Sequence, residues 1–373
     1  MQFAHLSTVE HRITLGAPLP FNVRDADHTL LLARGQRVDT QPQLQALFER
    51  GCLVDLAELQ TAREEILKAP RQQLPRLWSR CMDQVSQTLM NTPGAGFDEA
   101  LDEVGQPVQA LIERDPDLAI FQVLRRGADQ NVNYGAQRSL QTAITALLVA
   151  QRLAWDQAMC ERVFKVALTM NISMLRLQGE LAHQDTAPTD AQRHELLTHP
   201  MRSVQILQTA GVTDVAWLNA VLRHHEVEDG SGYPSGTTEV GELASLARRA
   251  DLYTSKLASR SARTAMAADL AGRQMFMQDP GHAMTAALVK EFGIYPPGCY
   301  VRLVSGAMAI VVQRGPTITT PVVLCLTDER GTPLQRPQRC DTGIKTNAVA
   351  AVVGEGSIPI PLSLERLAAL ITA

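Results

Sequence analysis

His224-His225-Glu226-Val227-Glu228-Asp229-Gly230-Ser231-Gly232-Tyr233-Pro234 is the stretch around which the chain is organised. Ahead of it, Val215, Leu218, Val221 and Leu222 recur at helical spacing, which predicts that the two histidines lie on the last turn of a packed helix. Asp229-Gly230 and Ser231-Gly232 are turn-forming dipeptides, and Tyr233-Pro234 stiffens the exit, so a shaped loop follows at once. Neutral imidazole is the commonest protein ligand for first-row transition metals, and a His-His pair fixed at a helix end points to a metal site.

With 373 residues the chain has room for two or three domains. Its 45% hydrophobic and 20% charged content is that of a globular protein, and a formal charge of -4 offers no footprint for a nucleic-acid polymer. No run of 18 apolar residues is present, and Met1-Gln2-Phe3-Ala4-His5 lacks the order of a signal peptide. Six scattered cysteines without a Cys-x-x-Cys read as reduced thiols, and the location expected is cytoplasmic.

Residues 1 to about 58 read as a small β-containing module. Ile13-Thr14-Leu15 and the stretch Leu19 to Arg34 carry strand character, with Asp25-Ala26-Asp27-His28 as a hairpin turn. Thr40 caps and Pro42 opens a short helix that ends at Gly51. Leu56 to Met90 is helical, interrupted by Pro70 and Pro75; Asn91 to Gly96 reads as a linker, and a helix over Leu101 to Ile120 breaks near Asp115-Pro116-Asp117. Apolar stripes at Leu140, Ile144, Leu147 and Leu148, at Val163, Val166, Ala167, Met170 and Met174, and at Leu243, Leu246, Ala250, Tyr253 and Leu257 describe a helical bundle with polar residues on its inner faces. Pro200 is expected in the first turn of a helix carrying Met201, Val204 and Leu207. From Tyr295 onward short β runs (301–304, 309–312, 322–326) and a hairpin signal at 328–332 precede a terminal helix.

The pattern His-His-Glu-x-x-Asp-Gly-x-Gly-Tyr-Pro resembles the HD-GYP family, bacterial phosphohydrolases that open cyclic di-GMP. Thr198-His199-Pro200 and Ala250-Asp251-Leu252-Tyr253 fall where that family carries its next His and Asp ligands. The resemblance implies a mainly α chain: a helical linker region (76–130) and an HD-type bundle (131–290) between a small N-terminal α/β module (1–75) and a small C-terminal β subdomain (291–373). His199, His224, His225 and Asp251 are the metal ligands it carries over. The family's remaining metal positions are a Glu-x-x-x-His, a His-Asp doublet and a Lys three residues after it. Aligned in order, Tyr134 and Arg138 replace the first pair, Arg176-Leu177 the doublet, and Glu180 the Lys, so no intact catalytic set is expected.

Leucine cannot bridge two metals, and arginine has no lone pair to donate at any working pH. Arg138 or Arg176 is therefore expected to pair with Asp251 where metal would sit. Three histidines and a carboxylate would still suffice for one Fe, Mn or Zn ion, the alternative being a hydrogen-bonded polar cluster without metal. His183-Gln184-Asp185 could shift the register but reads as a solvent-facing loop. The family's Arg-x-x-Arg near the nucleotide phosphates is matched by Arg260 and Arg263, with Lys256 one helical turn earlier. The loop residues Asp229, Gly230, Gly232, Tyr233 and Pro234 match a segment that the family uses toward diguanylate cyclase (GGDEF) domains. The function expected is a catalytically impaired regulatory or scaffold component of cyclic di-GMP signalling. A working phosphodiesterase with a reduced metal site, and a non-hydrolysing cyclic di-GMP receptor, are the alternatives.

Overall fold

A computed structural model describes residues 3–55, 58, 61–91, 94–124, 133–258, 266–354, 358 and 364–372. The chain divides into two compact units, Met1–Ala69 and Pro70–Ala373.

The first unit holds an antiparallel sheet in the order β1-β4-β2-β3, from β1 (Phe3–His5), β2 (Val23–Arg24), β3 (Leu30–Leu32) and β4 (Leu53–Asp55). The β2–β3 turn lies where expected: Asp25 Oδ1 accepts from the Asp27 and Thr29 amides, and His28 takes φ +66°. Helix α1 (Gln41–Glu49) starts in a capping box between Thr40 and Gln43. Ile13-Thr14-Leu15 is not a strand; it follows a 3-10 helix, Leu6–Arg12, whose Leu6 and Val9 enter the core with Phe21, Val23 and Val54. The unit ends with α2 (Ala62–Lys68).

The second unit is helical first and β last. Its helices begin with α3 (Leu74–Met90), α4 (Phe97–Arg114), α5 (Pro116–Leu124), α6 (Tyr134–Arg152) and α7 (Gln157–Thr169). They continue through α8 (Leu175–His183), α9 (Asp190–Thr209), α10 (Val215–Arg223), α11 (Glu242–Leu257), α12 (Ala268–Gln278) and α13 (Ala283–Phe292). Pro75 opens α3 rather than breaking a helix, because a first-turn residue has no amide bond to lose. Helix α6 is buried along nearly its whole length and packs against α3, α5, α7, α8, α11 and α13, with polar side chains such as Arg138, Gln141 and Thr145 enclosed along with the apolar ones. Gly135 permits the α8 approach, since a Cβ there would lie 2.3 Å from the Leu175 carbonyl oxygen.

Strands β5 (Tyr300–Leu303), β6 (Met308–Gln313), β7 (Val322–Thr327), β8 (Pro333–Asp341) and β9 (Val349–Val353) form an antiparallel sheet in the order β8-β7-β6-β5-β9. Arg314, just past β6, donates to Asp117 of α5 and Glu291 of α13, and α14 (Leu364–Thr372) packs against α3 and α5. The sheet and the helices thus share one compact unit. Among the described residues no helix is long and apolar enough to cross a membrane.

Candidate metal centre

Helix α10 delivers the two adjacent histidines. Its buried residues Trp217, Ala220 and Val221 are followed at the same spacing by His224, so the histidine belongs to the packed stripe. That stripe is turned from the one expected, and Val215 is 69% exposed. His224 is the C-cap of α10, where the last carbonyls lack intrahelical partners; its Nδ1 donates to the Val221 carbonyl at 2.7 Å.

His199 is fixed by a related device. Pro200 sits inside α9, not in its first turn, because a Thr189–Gln192 capping box starts the helix ten residues earlier. A proline has no amide hydrogen, so the Leu196 carbonyl loses its helical donor at position 200. His199 Nδ1 donates to that carbonyl at 2.6 Å. The Thr-His-Pro motif therefore frees the acceptor that orients its own histidine.

Both rings thus carry their proton on Nδ1, and their Nε2 lone pairs face each other at 3.1 Å. Burial first, then the His224 ring for His199 and the His225 ring for His224, pulls the pKa of each down to about 3, so no shared proton bridges them near neutrality. His225 completes the cluster, its pKa also pulled to about 3 chiefly by burial, with its ring stacked on Tyr233 at 4.6 Å. One ligand atom from each of His199, His224 and His225 lies within 4.8 Å of the others. Three neutral imidazoles with two nitrogens already anchored to carbonyls are a donor set that fits one divalent transition ion.

Asp251 is not part of that cluster. Its Oδ1 accepts from Arg138 of α6 at 2.9 Å, with side chains 19% and 6% exposed. Of the two arginines, Arg138 makes the pair. The second guanidinium nitrogen, Nη1, is buried without a partner. Tyr134, at the first position of α6, is buried, with its ring edge-on to His183. A two-metal site does not fit these residues, because a fixed positive charge already occupies the carboxylate.

Arg176 and Glu180 lie on the exposed side of α8, and Leu177 is buried among apolar residues. The segment against His199 is instead Asn171-Ile172-Ser173: Ser173 Oγ donates to the His199 carbonyl at 3.1 Å, and Ser203 accepts from the Ser173 amide. Met170 is the C-cap of α7, Asn171 follows it, and Met174 is the N-cap of α8. Asn171 is buried with Oδ1 unpartnered. His183 and Asp185 are exposed, as read from the sequence, although His183 is the last residue of α8 rather than part of a loop.

The signature loop is held by groups the sequence reading passed over. Glu226 is fully buried and accepts from the Ser235 amide. Glu228 accepts from Ser245 and from Arg249, which is 2% exposed and also grips Asp279. An arginine inside the α11 apolar stripe was the clue. Gly232 admits no side chain, since a Cβ would sit 2.4 Å from Glu226 Cα. Gly230 takes φ +79°, Asp229 Oδ1 accepts from the Ser231 amide, and the Tyr233–Pro234 peptide is cis. Lys256 bonds Gln274 at 2.9 Å; Arg260 and Arg263 lie outside the described residues.

Residues 122–275 match the family model described as HD domain. The chain is 25% identical over 222 residues to cyclic di-GMP phosphodiesterase PA4108 of Pseudomonas aeruginosa, a match covering 58% of this chain and 53% of that protein. It therefore spans about half the length of the curated relative it matches. Among solved structures it is similar to Bd1817, an HDG"Y"P protein from Bdellovibrio bacteriovorus, with a TM-score of 0.50 at 16% identity, covering 78% of this chain and 98% of that one. The His-His-Glu-x-x-Asp-Gly-x-Gly-Tyr-Pro loop and the histidine cluster both lie within residues 122–275, so this segment of the chain is an HD domain, similar in fold to an HD-GYP protein.

Proposed function

We propose that this chain is a catalytically impaired HD-GYP protein acting as a regulatory or scaffold component of cyclic di-GMP signalling. The observation that carries the reading is the Arg138–Asp251 pair at 2.9 Å. The carboxylate that would face a second metal is neutralised by a guanidinium, which cannot ligate one. Ser173 against the His199 carbonyl favours Met170-Asn171 over Arg176-Leu177 for the doublet's place and Met174 for the Lys, and neither pair offers a bridging carboxylate. A hydroxide held between two metals has no residues here to hold it.

The three-histidine cluster favours a second reading, a single-metal phosphodiesterase. An ion bound by His199, His224 and His225 would supply a Lewis acid for a phosphodiester oxygen. The residues around it contribute orientation: Leu196 and Val221 fix two rings, and Tyr233 stacks on the third. Under the first reading the same ion is structural, and the loop over Asp229 to Pro234 serves as a docking element toward a GGDEF-domain protein.

Elemental analysis of protein purified without chelator, beside a cyclic di-GMP hydrolysis assay with added Mn or Fe, separates the two. No turnover, with or without a single bound ion, is the expected result. Hydrolysis that disappears in His225→Ala would overturn the impaired reading and establish the enzyme. Nucleotide binding without turnover would identify a receptor, and Lys256, Arg260 and Arg263 would be the first residues to substitute.

A further inference from the structure

Strands β7 and β8 pair antiparallel with Val323 opposite Cys340 and Cys325 opposite Gln338. Cys325 and Cys340 are therefore diagonal neighbours on one face of the sheet, because residues two apart on a strand point the same way. Their sulfurs meet, the Cys325 thiol donating to Cys340 Sγ at 2.9 Å. The two differ in access: Cys325 belongs to the sheet's core cluster, whereas Cys340 is half-buried at its margin. Strand β8 is the edge of the sheet, and no other strand of that sheet covers it. Most of its side chains are exposed, so β7 is its main attachment.

We propose that Cys325 and Cys340 are a site of reversible oxidation, joined by peroxide into a cross-strand disulfide that staples edge strand β8 to β7. The more accessible Cys340 attacks first as thiolate. Its sulfur bonds to one peroxide oxygen, the O–O bond breaks, and the other oxygen leaves with a proton as water. Cys340 is then a sulfenic acid. The Cys325 sulfur attacks the Cys340 sulfur, the S–S bond forms, and hydroxide leaves, taking the Cys325 thiol proton as a second water. Two thiols are oxidised and both peroxide oxygens are reduced. Burial, with Cys340 beside it, holds the Cys325 pKa above the usual thiol range, which suits the resolving partner rather than the attacking one. A small dithiol reverses the bond by exchange.

Cys52, Cys81, Cys160 and Cys299 are buried and serve as internal controls. The full-length chain is treated with hydrogen peroxide, denatured with an alkylating agent, digested and mapped by mass spectrometry. The expected product is one linked peptide pair carrying Cys325 and Cys340, two hydrogens lighter than the thiols. The other four cysteines stay alkylatable, and dithiothreitol reverses the change. In Cys340→Ser the link is lost and Cys325 is recovered as a thiol. Hydrogen exchange along β8 slows on oxidation of the wild type. Recovery of both cysteines as thiols overturns the proposal, as does a sulfinic acid at Cys340 with Cys325 unreacted. A disulfide from either cysteine to any other would do the same. The mapping of wild-type protein decides the matter even where the variant does not fold.

Discussion

Replacing Arg138 by histidine tests the electrostatic argument at its centre. A guanidinium about 4 Å from a divalent ion, at an effective dielectric near 20, opposes it by about 8 kcal/mol, twice the figure for two unit charges. Asp251 is 19% exposed, so water screens part of this. A fourfold discount for that exposure leaves about 2 kcal/mol, more than a tenfold change in affinity. Arg138→His removes the repulsion, adds a nitrogen donor and releases Asp251. Chelator-stripped wild type and variant would be titrated calorimetrically with Mn and Zn. The wild type should take up no more than one ion, at the histidine cluster. The variant should bind at least tenfold more tightly or bind a further ion. Its metal-free form should be less stable than the wild type by about 3 kcal/mol, the low end of the cost of breaking a buried pair. Equal affinity and stoichiometry in the two proteins would refute the claim that Arg138 excludes metal.

Three further outcomes follow from the site. His199, His224 and His225 have folded pKa values near 3 against 6.5, so the unfolded chain binds the protons that these rings refuse. Stability of chelator-stripped protein should therefore fall as pH drops from about 6.5 toward about 3, by about 1.4 kcal/mol per unit for each ring. A flat urea midpoint across that window would show the rings are not buried neutral. Gly232→Ala sets a Cβ against three backbone atoms at 2.4 to 2.5 Å, and should cost about 2 kcal/mol in thermal or urea denaturation. Arg249→Leu leaves Glu228 and Asp279 without their shared partner; the carboxylates are 41% and 34% exposed and regain water, and Glu228 keeps Arg248, so the loss should be about 1 to 2 kcal/mol, read from the urea midpoint. An unchanged midpoint would mean the loop does not depend on that arginine.

Much of the site could be read from the chain because its retained half is local. His224 and His225 are adjacent, their loop is spelled in turn residues, and Asp251 lies beside an apolar stripe. Arg138 was legible as a rival for Asp251 because only a long cation reaches between helices. The doublet position was not legible. Met170 and Asn171 carry no charge to mark them, Arg176 offered a competing anchor, and the contact that favours the proposed register, Ser173 on the His199 carbonyl, joins residues 26 apart. Pro200 misled for a similar reason. A proline is a start signal by propensity, yet here its missing amide is what frees Leu196 for the histidine. Strand β9 escaped because Val349–Val353 pairs with β5 across some 45 residues, and short apolar runs do not announce distant partners.

The replacements also make electrostatic sense as a set. In the family pattern a Glu, the doublet Asp, the later Asp and a Lys leave a net negative pocket that metal ions balance. On the proposed register Tyr134, Arg138, Met170, Asn171 and Met174 stand at the five altered positions, and Arg138 with Asp251 sums to zero. Charge balance is reached without a second ion, which explains why Asp251 can persist once its neighbours have gone. A double-mutant cycle measures this. Asp251→Asn strands the Arg138 charge beside a neutral amide, with Nη1 already unpartnered, and should cost about 3 kcal/mol. Arg138→Leu strands the carboxylate, which is partly exposed and loses less. The double variant buries neither charge and should be more stable than the sum of the single losses predicts, by about 2 kcal/mol of coupling. Additive losses would mean that each residue is held by its own surroundings, and that the guanidinium is not the stand-in for a metal's charge.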